Sequence, residues 1–506
     1  MIESTTVVTF LVIVGATSLL AVTARRFRRR DRLPSLDGWA LADRGFGGGV
    51  TWFLLGGSVF TAYTFAAVPG LVYGVGALAF FALPYTVLLC PLAFVVLPRL
   101  WQAARDGGHI TVADYVKARY ASPLLALAVA LTGILATMPY IALQLLGIRA
   151  VLMAGGLYPQ GWAGDLALVG LFGVLAVATY RHGLRAPAVI SLVKGVAIGG
   201  AVVAVVGVAL AEFGGPGPMF AAAEANLAGP GLPAASLRLD PELYPAFATL
   251  ALGSAMAMLM YPHLHTATFA ASGADVLRRV TVALPAWTGV LGLFGLLGIA
   301  ALAAGVHAPA GNAEAAVPLL VRELMPAALT GAIFGAFVVG ALVPAAVMSI
   351  AAATLFVRNV YVEYFHPTAT PKHQTRIAKL VSLTAKVGAV GFVFGLRNQD
   401  AINLQLLGGV WILQTFPAVV LGLFTRLPRG RALLAGWATG MIAGTLLVVR
   451  HGFSAVVWIG FGEHRTPVYA ALVALVVNLA VVAAATPLFA RTGRGPLRTR
   501  SVVGPS

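Results

Sequence analysis

The side chains able to do chemistry here sit inside stretches otherwise built of Ala, Leu, Val, Phe and Gly. Lys194 stands in the apolar run 188–212, far from either end. A cation there costs ~2.5–3.5 kcal/mol on insertion scales, so it should face the protein interior and have a functional or pairing role. Tyr140 and Gln144 follow Pro139 at i and i+4 and share one helix face. Tyr261, His263 and His265 surround Pro262, which breaks a helix and frees backbone groups. Thr61 and Thr64 follow Gly56, Gly57 and Ser58 in a stretch that also holds Pro69. Each of these polar residues also reads as an ordinary helix–helix hydrogen-bond partner. Two histidines two residues apart on a helix face different directions, so they make a poor metal site and are left as a proton relay or as packing.

These residues must be held by membrane helices. Val50 to Gly76 is long enough to cross a bilayer, since ~20 apolar residues at 1.5 Å each span its hydrocarbon core. Its Gly, Ser, Thr and Pro invite a break near mid-membrane. Unwound backbone survives at that depth only where it is buried in protein or lines a cavity, and there it binds solute or ions. A broken membrane helix of this kind points to a transporter.

Composition agrees. Of 506 residues, 59% are hydrophobic and 10% charged, with mean hydropathy +0.90, outside the range of a soluble protein. Apolar runs fall at 5–24, 50–73, 77–99, 122–155, 163–181, 188–212, 244–271, 279–304, 329–362, 376–397, 402–425, 430–450 and 467–490, which predicts thirteen transmembrane helices in an all-α polytopic protein of one membrane domain. The net charge of +17 is distributed as membrane orientation requires. Arg25 to Arg32, Lys117 and Arg119, Arg278 and Arg279, Arg426 to Arg431 and the tail 491–506 fall on one face, which places the N-terminus outside and the C-terminus in the cytoplasm. No basic face with interleaved aromatics exists, so nucleic acid is not an expected partner. The single Cys90 lies in an apolar run and reads as packing.

Two connecting stretches carry signals of their own. Glu212 to Leu243, rich in Gly, Pro and Ala, reads as a lid or spacer holding a short interfacial helix. Asp106 to Tyr120 has Thr111 three residues before Asp114, a helix-start signal that predicts a short amphipathic helix. Zinc-protease spacing, a nucleophile–base set and paired intramembrane carboxylates are missing, which argues against an enzyme. A channel lacks its filter or charged ring, and the GFGGG run near Gly45 follows no strand, so it is not a phosphate loop.

Several stretches taken together resemble the sodium:solute symporter family: GWALADRGFGGGVTW, AAVPGLVYGVG, HITVADYVKARY and GALVPAAVMSIAAATLFVRNVYVEY, in this order and spacing. MPYIALQLLGIRAVL, RAPAVISLVK and MYPHLHTATFAA are more particularly similar to its bacterial monocarboxylate permease branch, which takes up pyruvate, lactate or acetate. The resemblance implies a LeuT-like core of two inverted five-helix repeats within 47–425, a peripheral helix at 5–24, further peripheral helices within 430–490 and a cytoplasmic tail at 491–506. It also implies a bacterial inner membrane, a small organic solute and lipid as partners, and no organic cofactor. Oligomeric state is not legible. A sodium-coupled carrier of another solute such as proline, and a transporter-like sensor, are the alternatives.

The resemblance further implies a sodium site made by backbone carbonyls at the first break, here Gly57 and Phe60, and by Ala346 and Ser349 on the eighth core helix. A second hydroxyl usual in the family is replaced by Ile350, which cannot coordinate a hard cation. In some transporters of this broader fold a lysine on the fifth core helix places its ammonium where sodium would sit, and Lys194 lies on that helix. Two readings follow: Lys194 replaces sodium and exchanges a proton during transport, or it pairs statically while sodium couples elsewhere. A small carboxylate would meet donors where the broken helices converge, with Thr61, Thr64, Tyr140, Gln144, Tyr261, His263 and His265 as the substrate-binding candidates.

Overall fold

In a bilayer an unpaired backbone amide or carbonyl costs several kcal/mol, so apolar runs of this length close their hydrogen bonds internally as helices. The computed structural model describes residues 4–23, 35–158, 161–227, 235–395, 401–462 and 464–490. The basic cluster 25–32 and the tail 491–506 lie outside the described residues. The N-terminal half comprises α1 (Ser4–Thr23), α2 (Gly48–Val59), α3 (Val68–Val75), α4 (Ala82–Asp106), α5 (Val112–Tyr120), α6 (Pro123–Ala154), α7 (Trp162–His182), α8 (Arg185–Phe213) and α9 (Pro216–Leu227). After these come α10 (Tyr244–Met260), α11 (Pro262–Phe269), α12 (Ala274–Ala283), α13 (Pro285–Ala303), α14 (Ala316–Leu324), α15 (Ala327–Phe356) and α16 (Pro371–Gly395). The chain closes with α17 (Ala401–Ile412), α18 (Gly430–Arg450), the strands β1 (Val456–Phe461) and β2 (His464–Tyr469), and α19 (Ala470–Ala490).

Helix occupies every one of the thirteen predicted intervals. Among the described residues nine helices are long and apolar enough to cross a membrane, or ten when the bent pair Gly48–Val59 and Tyr63–Val75 counts as one span. The described apolar part of α1, Ser4–Leu20, and that of α7, Trp162–Leu171, are shorter.

Helix α15 is the central pillar, its apolar window wholly buried. It packs on α1, α6, α8 and α16. Small residues let it approach so closely: a Cβ on Gly331 would meet Thr9 and one on Gly335 would meet Ile13. Beyond Phe356 the helix widens into a π-helical stretch, Val357–Phe365.

Two helices break where the sequence predicts. Phe60 closes α2 in extended geometry (φ −92°, ψ 94°), and the chain turns by 48° into Tyr63–Val75. Tyr261 (φ −65°, ψ 133°) separates α10 from α11, whose first residue is Pro262, the position where a missing N–H is harmless. The predicted run 244–271 is therefore two helices. The two broken elements are joined at their ends, since Phe46 donates its amide to Ala270 (3.1 Å) and accepts one from Ser272 (2.9 Å).

The connections follow their local signals. Thr111 and Asp114 form the expected capping box of α5, and α9 is the short helix expected in the Gly/Pro-rich loop. That loop is pinned at Gly76 (φ +74°), where Ala77 donates to the Ser236 carbonyl at 2.7 Å. A Cβ on Gly76 would collide with that carbonyl. The antiparallel pair β1–β2 was not expected, and its last residues, Pro467 to Tyr469, take the start of the predicted span 467–490.

Candidate ion-coupling and solute site at the helix breaks

The break after α2 frees carbonyls that the helix no longer uses. Lys194 reaches them from α8: its Nζ donates to the Gly57 carbonyl at 2.9 Å and to the Phe60 carbonyl at 3.1 Å. The side chain is 1% exposed, and no described carboxylate pairs with it. A buried ammonium without a counter-charge is held here by peptide dipoles alone. The close approach of α2 to α8 and to α13 depends on absent side chains, since a Cβ on Gly195 of α8 would strike Phe53 and one on Gly56 would lie 2.2 Å from the indole nitrogen of Trp287 on α13. Trp287 in turn stacks on Phe60 with ring centroids 5.5 Å apart.

The family-implied partners Ala346, Ser349 and Ile350 lie on α15, all fully buried. Ser349 donates its hydroxyl to the Ala346 carbonyl at 2.8 Å. Ile350 offers only its carbonyl, which accepts from Thr354 at 2.7 Å.

Across the break, Gln144 acts as a clamp. Its Oε1 accepts the Ala62 amide at 2.9 Å, while its Nε2 donates to the Thr61 hydroxyl and to the Tyr140 carbonyl, each at 3.2 Å. Thr61 also accepts the Tyr63 amide at 3.1 Å. Gln144 and Thr61 thus satisfy each other and the unwound backbone, and Thr64 Oγ is left buried without a partner.

At the second break the rings of Tyr140, Tyr261 and His263 form a cluster, with centroid separations of 5.1 Å, 5.3 Å and 5.4 Å. Tyr261 donates to the Gln405 carbonyl at 3.1 Å, whereas the Tyr140 hydroxyl and both His263 ring nitrogens are buried without partners. His265 turns the other way. Its Nε2 meets the Leu259 carbonyl at 2.8 Å, and the ring borders a small cavity with Thr111, Thr266, Thr354 and Leu355.

Below that cavity α5 locks to the π-helical end of α15. Asp114 accepts from the Ile110 and Thr111 amides and from Asn359, and Lys117 pairs with Glu363 at 2.6 Å. Burial holds the nearby His109 imidazole below its ordinary value, with Asp114 opposing and Arg44 and Arg358 adding to the shift.

Sequence reasoning missed several residues here. Tyr63 and Tyr85, 6.0 Å apart, have buried hydroxyls without partners, as has the Oε1 of Gln405. Lys386, in α16, is 2% exposed and contacts Ser349. The signal that marks Lys194, a charge deep in an apolar run, would have found Lys386 as well. Among the described residues no group of His, Cys, Asp and Glu could hold a metal ion.

The sequence profile of the sodium:solute symporter family matches residues 39–459. The chain belongs to this family. This symporter is 44% identical over 497 residues to a protein of Rhizobium johnstonii named monocarboxylate transport permease protein, covering 98% of this chain and 99% of that one. It is 30% identical over 478 residues to an uncharacterized symporter of Bacillus subtilis, YodF, covering 93% and 91%. Its fold is that of a Na+-coupled sialic acid symporter in a substrate-bound outward-open state, with TM-score 0.76, 16% identity and 96% and 98% of the two chains covered. The transporter Mhp1 in a closed conformation shares the fold more distantly, with TM-score 0.53, 13% identity and 92% and 96% covered.

Proposed function

We propose that this symporter carries a short-chain monocarboxylate together with a proton, and that Lys194 is the coupling residue. The observation that carries the reading is the pair of bonds from Lys194 Nζ to the Gly57 and Phe60 carbonyls. An ammonium there supplies the positive charge that a bound cation would supply, and losing its proton removes that charge and turns two charge-assisted bonds to the break into weaker neutral ones. The break then relaxes in a manner that depends on protonation, which is the link between proton movement and solute access that symport needs.

The monocarboxylate assignment is supported by the named Rhizobium johnstonii relative and by the chemistry of the site. Thr64, Tyr140, Tyr63, Tyr85 and His263 present buried polar atoms without partners, each of which costs ~1–3 kcal/mol while unmet. A carboxylate with a short apolar tail accepts from hydroxyls and leaves its tail against the Tyr140, Tyr261 and His263 rings. Thr61 and Gln144 shape the break and Tyr261 anchors it to Gln405, while His265 stands on the far side of α11.

In this reading the protein has thirteen spans with a core of two inverted five-helix repeats within 47–425. The N-terminus lies outside, the C-terminus lies in the cytoplasm, and the membrane is a bacterial inner one. The helix at each predicted interval and the basic loops on one face support it.

Proteoliposomes given a proton gradient test the substrate class. Radiolabelled pyruvate should accumulate, and unlabelled lactate and acetate should compete where proline does not. Accumulation of radiolabelled proline with no uptake of pyruvate would assign the site to an amino acid.

A further inference from the structure

A second buried cation bonds another residue read into the ion site, Ser349. Lys386 Nζ donates to Ser349 Oγ at 2.7 Å, to Ser382 Oγ at 2.9 Å and to the Ser382 carbonyl at 3.3 Å, so three N–H donors meet three oxygens. No described carboxylate pairs with it, and its placement in α16 carries the same cost that marks Lys194.

The consequence falls on Ser349. A serine hydroxyl has one hydrogen and two lone pairs. The hydrogen of Ser349 goes to the Ala346 carbonyl at 2.8 Å, and its lone pairs receive Lys386 and, at 3.1 Å, the Ser382 hydroxyl. Ser349 is saturated, with nothing left for a metal ion. Of the four oxygens proposed for the site, Lys194 holds those of Gly57 and Phe60, Lys386 holds that of Ser349, and Ser349 holds that of Ala346.

We propose that Lys386 is a specificity-determining residue: together with Lys194 it engages the Gly57, Phe60 and Ser349 oxygens, leaves the Ala346 carbonyl to Ser349, and closes the site to Na+. The inference rests on the reading of Gly57, Phe60, Ala346 and Ser349 as the coupling site. Removing Lys194 alone leaves Ser349 saturated and an ammonium beside the site. Removing Lys386 alone leaves Lys194 on both break carbonyls. Only loss of both removes both charges, frees the Gly57 and Phe60 carbonyls and opens a lone pair on Ser349.

The test is radioactive Na+ binding to the purified full-length protein in nanodiscs, for the native chain, Lys194→Ala, Lys386→Met and the double variant, with Gln at both positions as the substitute pair if the double variant is not monodisperse. The double variant should bind Na+ saturably, at least about tenfold tighter than either single variant, and the native chain should not bind. Equal Na+ binding by Lys194→Ala alone, or none by a monodisperse double variant, would overturn the role of Lys386 while leaving proton-driven uptake by the native chain untouched. Na+ binding by the native chain would overturn the proton reading and this inference together.

Discussion

Lys194 on α8 holds the Gly57 carbonyl at the end of α2 with its ammonium, Nζ to oxygen 2.9 Å, and the same nitrogen reaches Phe60. One side chain thereby ties one helix to the break in another. Replacing Lys194 by Met removes the donor to two buried carbonyls, each unmet group costing ~1–3 kcal/mol. The expected result is a melting temperature lowered by several degrees in detergent, and proton-driven uptake reduced at least about tenfold while solute exchange at equal pH is largely kept. A loss of exchange as large as the loss of driven uptake would mean a structural role only.

Gln144 is expected to matter through the break. Gln144→Leu strands the Ala62 amide and takes a donor from Thr61, for a cost of ~1–3 kcal/mol, seen as a lower melting temperature and a raised KM for uptake. An unchanged KM would show that the geometry of the break does not set solute affinity.

The contact of α2 with Trp287 tolerates no side chain. Gly56→Ala puts a methyl 2.2 Å from the indole nitrogen, an overpacking that costs ~1–3 kcal/mol in thermal denaturation. Adding Trp287→Leu should recover most of that loss, and a lack of recovery would place the strain elsewhere.

The lock between α5 and the end of α15 separates two kinds of polar contact. Lys117 and Glu363 are partly exposed, so Lys117→Ala should cost under ~1 kcal/mol. Asp114 caps α5 and holds Asn359, so Asp114→Ala should cost ~1–3 kcal/mol and open the cavity beside Thr354. In a chain with Cys90→Ala, the thiol of Thr354→Cys should then react faster with a maleimide. Equal rates with and without Asp114→Ala would show that this network does not close the cavity.

The breaks were legible because Gly, Thr and Pro interrupt apolar runs, and Lys194 because nothing near it in sequence explains a charge. Lys386 carries the same signal but shares α16 with Lys372 and Arg376, which read as loop-side charges and hid it. The residue types at the site were legible too, but not their pairing. That Gln144 spends itself on Thr61 and the Ala62 amide is a relation between two helices, and periodicity along one chain cannot contain it. The β1–β2 hairpin was missed because VVWIGF and HRTPVY are too short beside the long apolar runs to stand out. The partnerless hydroxyls of Tyr63 and Tyr85 depend on what fails to surround them, which sequence does not show.

The central claim is that a proton couples through Lys194, and pyruvate uptake into proteoliposomes under separately imposed proton and sodium gradients tests it most directly. The account predicts uptake driven by the proton gradient in the native protein, indifferent to sodium and losing its gradient response in Lys194→Ala. Uptake driven by sodium and unaffected by Lys194→Ala would contradict it and leave Lys194 as a structural tie between α8 and the break.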